Sequence, residues 1–123
     1  DLRSTALPYL KRVFGCLDAP VRFFHNDAQW RVCAKFLTEI GINLFNFSFK
    51  HSLAQMREWA GPGVTLLGNI PPRDVLAQGT PAEVAASVRA AVEPLCDRSR
   101  IILSCGGGMP PDVPSENVLA VGL

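Results

Sequence analysis

His25 and Asp27 stand one residue apart at the end of an apolar run, and both side-chain types bind Zn²⁺ or exchange protons. A carboxylate so placed can also orient an imidazole. The pair therefore reads as a metal pair or an acid–base pair, against a plainer reading in which Asp27 caps a following helix and His25 bonds to backbone. A zinc site needs a third protein ligand, for which Cys105 and His51 are the candidates if the fold brings them near. Cys105 by itself reads as a nucleophile or as a small buried hydrophobe. Gly106, Gly107 and Gly108 would let backbone amides approach a phosphate or carboxylate, or they form a tight turn; they lack the GxGxxG spacing of a nucleotide site. Arg73, beside Pro71 and Pro72, would clamp an anionic substrate together with Asn69 in the same loop, or stand solvated.

Each candidate follows a short apolar run that reads as a buried strand: residues 21–25, 44–49, 64–68 and 101–104. Helical periodicity fills the gaps. A first helix is expected over residues 4–14, with Pro8 in its opening turns, and a second over residues 28–40, capped by Asp27 and stopped by Gly41. Ser52 and Gln55 match the capping-box spacing for a third, which ends near Gly61 and Pro62. Thr80, Pro81 and Glu83 supply N-cap, N1 and N3 of a fourth, with Val84, Val88, Ala91, Val92 and Leu95 on its buried side. Another begins near Ser115. Trp30 and Trp59 fall on helices and read as packing groups.

Strict alternation of helix and strand implies an α/β fold with parallel strands joined by right-handed crossovers. Periodicity leaves two closures open, an open doubly wound sheet or part of an eightfold barrel. In both, functional groups gather at the carboxyl ends of the strands, where all the candidates lie.

The bulk composition excludes several classes of partner. With 12 Lys and Arg against 11 Asp and Glu, the chain has no charge excess to gather nucleic acid or anionic lipid. At 48% hydrophobic it is too apolar for disorder, yet no run approaches the roughly 18 residues of a membrane helix. The 4 cysteines, Cys16, Cys33, Cys96 and Cys105, form no CxxC pair and follow no signal peptide, which implies reduced thiols and a cytoplasmic location. The 123 residues open on Asp1 and reach their first methionine at Met56, so a piece of a longer chain is expected, with no domain boundary inside it.

Two motifs carry a resemblance. Gly68-Asn69-Ile70-Pro71-Pro72, then Val75-Leu76, Gly79-Thr80-Pro81 and Glu83-Val84, is similar to the GN(V/I)DP…L…GTPEEV stretch of the uroporphyrinogen decarboxylase superfamily. Ile101-Ile102-Leu103-Ser104, then Gly106 to Gly108, Pro110-Pro111, Pro114 and Glu116-Asn117, resembles its final strand and loop, ILSxGCGxPPxTPxEN. The opening Ala6-Leu7-Pro8-Tyr9-Leu10 resembles the helix before its fifth strand. The resemblance implies half of a (β/α)₈ TIM barrel, about strands five to eight.

It also implies an enzyme acting on a tetrapyrrole or corrinoid system, by decarboxylation or by methyl transfer from a corrinoid to a thiol. Methyl transfer is slightly favoured, and the isolated half is expected to be inactive. The methyltransferase branch holds Zn²⁺ with an HxC motif and a cysteine in the last loop. Here His25 matches, Asp27 and Gly107 occupy the two cysteine positions, and Cys105 lies two residues early. In the decarboxylase branch Gly107 stands in place of a histidine and Pro71 in place of an aspartate. A non-enzymatic alternative is a half-barrel assembly module, since open strand edges favour a homo-oligomer.

Overall fold

The computed structural model describes residues 2–28 and 31–122. Its longest helix, α6 (Pro81–Val92), starts where the capping signal lies. Thr80 Oγ1 accepts from Glu83 N at 3.3 Å, and the Glu83 carboxylate takes the Thr80 N–H at 2.7 Å, closing a reciprocal capping box. The hydrogen bond from the Thr80 backbone, then that from its hydroxyl, holds the Glu83 carboxyl below its usual pKa. A depressed carboxylate pKa contributes stability above the unfolded-state value and loses it as pH falls through the folded one. Thr80→Ala should therefore cost about 1 kcal/mol at neutral pH, with the deficit shrinking once acid has protonated Glu83, as urea titrations at both pH values would show.

The same device starts α5 (Leu53–Ala60), where Ser52 Oγ and the Gln55 side chain exchange 3.1 Å bonds with each other's backbone. The first expected helix is two, α1 (Leu2–Thr5) and α2 (Leu7–Gly15). Pro8 has no N–H to donate back across the junction, so the chain restarts with Pro8 in the first turn of α2. The second expected helix is also divided, into α3 (Arg31–Ala34) and α4 (Leu37–Ile40); Gln29 and Trp30 of that span lie outside the described residues. Phe36, Leu37 and Ile40 are all buried. A tightened turn, with Phe36 N on Cys33 O at 3.0 Å, separates the two helices. A π-helical turn over Pro72–Ala77 was not expected from the pattern.

Four strands form one parallel sheet in the order β1 (Phe23–Asn26), β2 (Leu44–Phe47), β3 (Thr65–Ile70), β4 (Ile101–Cys105). Sequential order throughout is the winding of a barrel segment. A doubly wound sheet reverses its order at a switch point, and none occurs here. Phe24, Phe45, Phe47, Leu66, Ile101 and Leu103 belong to the core between sheet and helices. The alternate positions Phe23, His25, Asn46 and Ile102 face the other way, and Phe23 (48% exposed) and Ile102 (47%) stand open there. Half of a (β/α)₈ barrel, with its inner face uncovered, is the architecture.

Beneath the sheet the Arg57 guanidinium donates to the carbonyls of Gly61, Val64, Ser99 and Arg100 and ties the chain together at the amino ends of β3 and β4. Burial pulls its pKa below the usual value, with Asp97 opposing. Among the described residues no helix is long and apolar enough to cross a membrane.

Candidate functional site

Parallel strands deliver their carboxyl ends to one rim, and His25 is the next-to-last residue of β1 there. Its Nδ1 lies 2.7 Å from Asn46 Oδ1 on the neighbouring strand, and its Nε2 lies 3.2 Å from Asp27 Oδ2. The expected pair is thus real as geometry, and its side chains are 42% and 55% exposed. Asp27 does not cap a helix within the described residues: Asn26 Oδ1 takes the Ala28 N–H at 2.8 Å, which leaves the Asp27 carboxylate turned to His25.

Asn46 is the residue that sequence reasoning missed. Its Nδ2 donates to Leu67 O at 2.7 Å and to Cys105 O at 3.2 Å, so its amide is oriented by two carbonyls and its Oδ1 must face His25 as an acceptor. Neutral His25 therefore carries its proton on Nδ1 and presents a lone pair on Nε2. Once protonated there, it gains the Asp27 carboxylate as a partner. An amide fixes the tautomer and a carboxylate stands beside the other ring nitrogen, the arrangement of a positioned general base. The available signal was an amide side chain inside the apolar run 44–49, which also holds Ser48.

Gly107, with φ of +109°, brings the last loop over this pair. A β-carbon on it would sit 3.4 Å from Asp27 Oδ2. Gly106 serves a different need, because a β-carbon there would come within 2.7 Å of Phe49 N, while one on Gly108 would meet nothing within 4 Å. Gly106→Ala should consequently destabilise the chain by about 1–3 kcal/mol and Gly108→Ala hardly at all, a contrast that paired thermal melts would measure.

The remaining candidates do not converge on His25. Asn69 follows a cis peptide from Gly68 and is 7% exposed, and its side-chain amide donates to the carbonyl of His51. Arg73 is exposed on the π-helical turn. The Cys105 thiol is buried and directed at Gly107 O, 3.0 Å away, and all four cysteines are free. Trp59 packs edge-on against His51 at 5.1 Å.

Among the described residues no three His, Cys, Asp or Glu side chains gather to hold a metal ion. Nδ1 of His25 is taken by Asn46, and the Cys105 thiol is directed at Gly107 O. The residues present thus do not fit the three-ligand zinc centre expected from His25, Asp27 and Cys105.

The second motif has a physical basis as well. Asn117 in α7 (Ser115–Ala120) is 1% exposed and donates to Leu76 O at 2.9 Å and Gly79 O at 2.7 Å. One motif is thereby bonded to the other across the fold.

No curated protein matches the chain. A solved structure, a methyltransferase from Methanosarcina mazei, is similar over 98% of this chain with a TM-score of 0.84 and 21% identity. The chain spans 35% of the length of that structure. The family model for uroporphyrinogen decarboxylase matches residues 1–121. With both motifs, the sequential parallel sheet and a match over nearly every residue, the chain belongs to the uroporphyrinogen decarboxylase family.

Proposed function

We propose that this chain supplies the carboxyl-terminal half of a barrel enzyme acting on a tetrapyrrole or corrinoid system, with His25 as its proton carrier. The observation that carries the reading is the tautomer lock. Asn46 holds the Nδ1 proton and leaves Nε2 basic beside Asp27, on the uncovered face and at the rim where barrel enzymes do their chemistry.

Methyl transfer from a methyl-corrinoid to a thiol is the preferred reaction. The thiol proton passes to His25 Nε2, the methyl group bonds to sulfur, and the electron pair of the broken carbon–cobalt bond stays with cobalt. Asp27 stabilises the imidazolium so formed. The name of the solved neighbour, a methyltransferase, supports this choice. The family description supports a second reading, decarboxylation of a porphyrinogen, in which a protonated His25 would return a proton to the carbon that loses CO₂. A third reading, an assembly module without catalysis, leaves the solvent-open His25–Asp27 pair without a use.

Titration of the isotope-labelled chain with methylcob(III)alamin, and separately with uroporphyrinogen, distinguishes these readings. Shifts of the His25, Asp27 and Gly107 resonances with the corrinoid are expected. Shifts with the porphyrinogen alone would transfer the assignment to decarboxylation, and shifts with neither would overturn the substrate class.

A further inference from the structure

Cys105 stands where the two partners of His25 meet. Its carbonyl accepts from Asn46 Nδ2 at 3.2 Å, and Asn46 Oδ1 in turn lies 2.7 Å from His25 Nδ1. Its thiol donates to Gly107 O at 3.0 Å, and Gly107 lies against Asp27, whose Oδ2 is 3.2 Å from His25 Nε2. The main chain and the side chain of one residue thus address opposite nitrogens of one imidazole.

The two arms differ in how firmly they are held. Asn46 is buried and also bonded to Leu67 O at 2.7 Å, so the arm to Nδ1 survives a change of side chain at position 105. The arm to Nε2 has no such reserve. Among the described residues the one polar partner of the Asp27 carboxylate is His25, and more than half of that side chain is open to water. A carboxylate tethered by one solvated contact leaves its rotamer unless the alternatives are blocked. Gly107 supplies the block, because a β-carbon on it would sit 3.4 Å from Oδ2, 3.6 Å from Oδ1 and 3.9 Å from Cγ of Asp27.

The thiol decides where Gly107 lies. The chain leaves the sheet one residue earlier, where Gly106 N donates to Ile70 O at 2.9 Å. Beyond Gly107 the surroundings offer no support, since an added β-carbon on Gly108 would meet nothing within 4 Å and Met109 is exposed. Gly107 takes a φ of +109°, open to glycine without strain, with its carbonyl on the Cys105 thiol. Cys105 itself is fixed, buried in the apolar cluster of Leu76, Val84 and Ala120. A small side chain with one donor meets both demands.

We propose that Cys105 is a positioning residue of the His25 site: its thiol holds the last loop so that Gly107 keeps the Asp27 carboxylate against His25 Nε2. Its use in catalysis rests on the reading of His25 as proton carrier. The geometry is tested without substrate, so a failure of that reading and a failure of this one are separate results.

In the isotope-labelled full chain, three-bond couplings to the Asp27 β-protons should report a single χ1 rotamer. Cys105→Ala removes the donor and should raise the population of other Asp27 rotamers at least about twofold, with a shift of the Gly107 carbonyl carbon. Cys105→Ser restores a donor and should return both signals toward the parent. Leu76→Val trims the same apolar cluster without touching the thiol; it should lower the melting temperature and leave Asp27 in one rotamer. An Asp27 that keeps its rotamer in Cys105→Ala would overturn the proposal. So would equal averaging in Leu76→Val, or a Cys105→Ser that averages as much as Cys105→Ala, since Cys105 would then be a packing residue alone.

Discussion

Phe45→Ala should lose about 3–5 kcal/mol of folding stability, a large share of the roughly 5–15 kcal/mol that a domain possesses. Phe45 is 1% exposed at the centre of the sheet's helix-facing side. Its ring stacks on Phe24 at 6.1 Å and on Phe47 at 5.8 Å, and Phe24 meets Phe14 of α2 edge-on at 6.1 Å. One ring thereby joins β1, β2 and the first helices. Its loss leaves a cavity that neighbours on rigid strands cannot close. Urea unfolding of Phe45→Ala beside Met109→Ala provides the check, because Met109 is exposed and its truncation should change stability by no more than about 0.5 kcal/mol. Equal losses would show that the assignment of faces is wrong.

Asn46→Leu should damage both stability and site. Leucine is close in volume, so the cost is polar: Leu67 O and Cys105 O each lose the bond from Asn46 in a region where Asn46 is only 5% exposed. A hydrogen bond contributes about 0.5–1.5 kcal/mol net, so losing both costs about 1–3 kcal/mol. The effect on His25 follows from geometry. Without an acceptor on Nδ1 the ring is free to take the other tautomer, and the basic nitrogen beside Asp27 is no longer assured. Nitrogen chemical shifts of the His25 ring should report a proton on Nδ1 in the parent chain and a mixture in the variant. In an active barrel, proton transfer through His25 should fall about 10²- to 10⁴-fold. A ring that keeps its Nδ1 proton in Asn46→Leu would remove Asn46 from the site and leave His25 and Asp27 as a plain surface pair.

Much of this was legible in the residues because the governing signals are local. Ser52 with Gln55, and Thr80 with Glu83, announce helix starts through side chains that reach backbone three positions away, and both boxes are present. Four apolar runs bounded by turn residues mark the four strands, each displaced by no more than two residues at either end. His25 and Asp27 were readable as a pair since they lie two positions apart at a strand end. Less legible were the divisions of the early helices. Pro8 announces one of them, but the tightened turn at Phe36 depends on what Phe36 packs against.

By itself the sequence determined the alternation of elements, the caps, the two motifs of the uroporphyrinogen decarboxylase family and the candidates at the strand ends. Only the tertiary structure decided which of those candidates meet. Asn46 joins His25, 21 positions earlier, to the carbonyl of Cys105, 59 positions later, and no rule acting over three or four residues reaches that far. The direction of Asp27, the withdrawal of Cys105 toward Gly107 and the need for glycine at position 106 have the same origin. Each depends on strands β1 to β4 lying side by side in order, which sets separations across the sheet that the chain's own spacing does not contain.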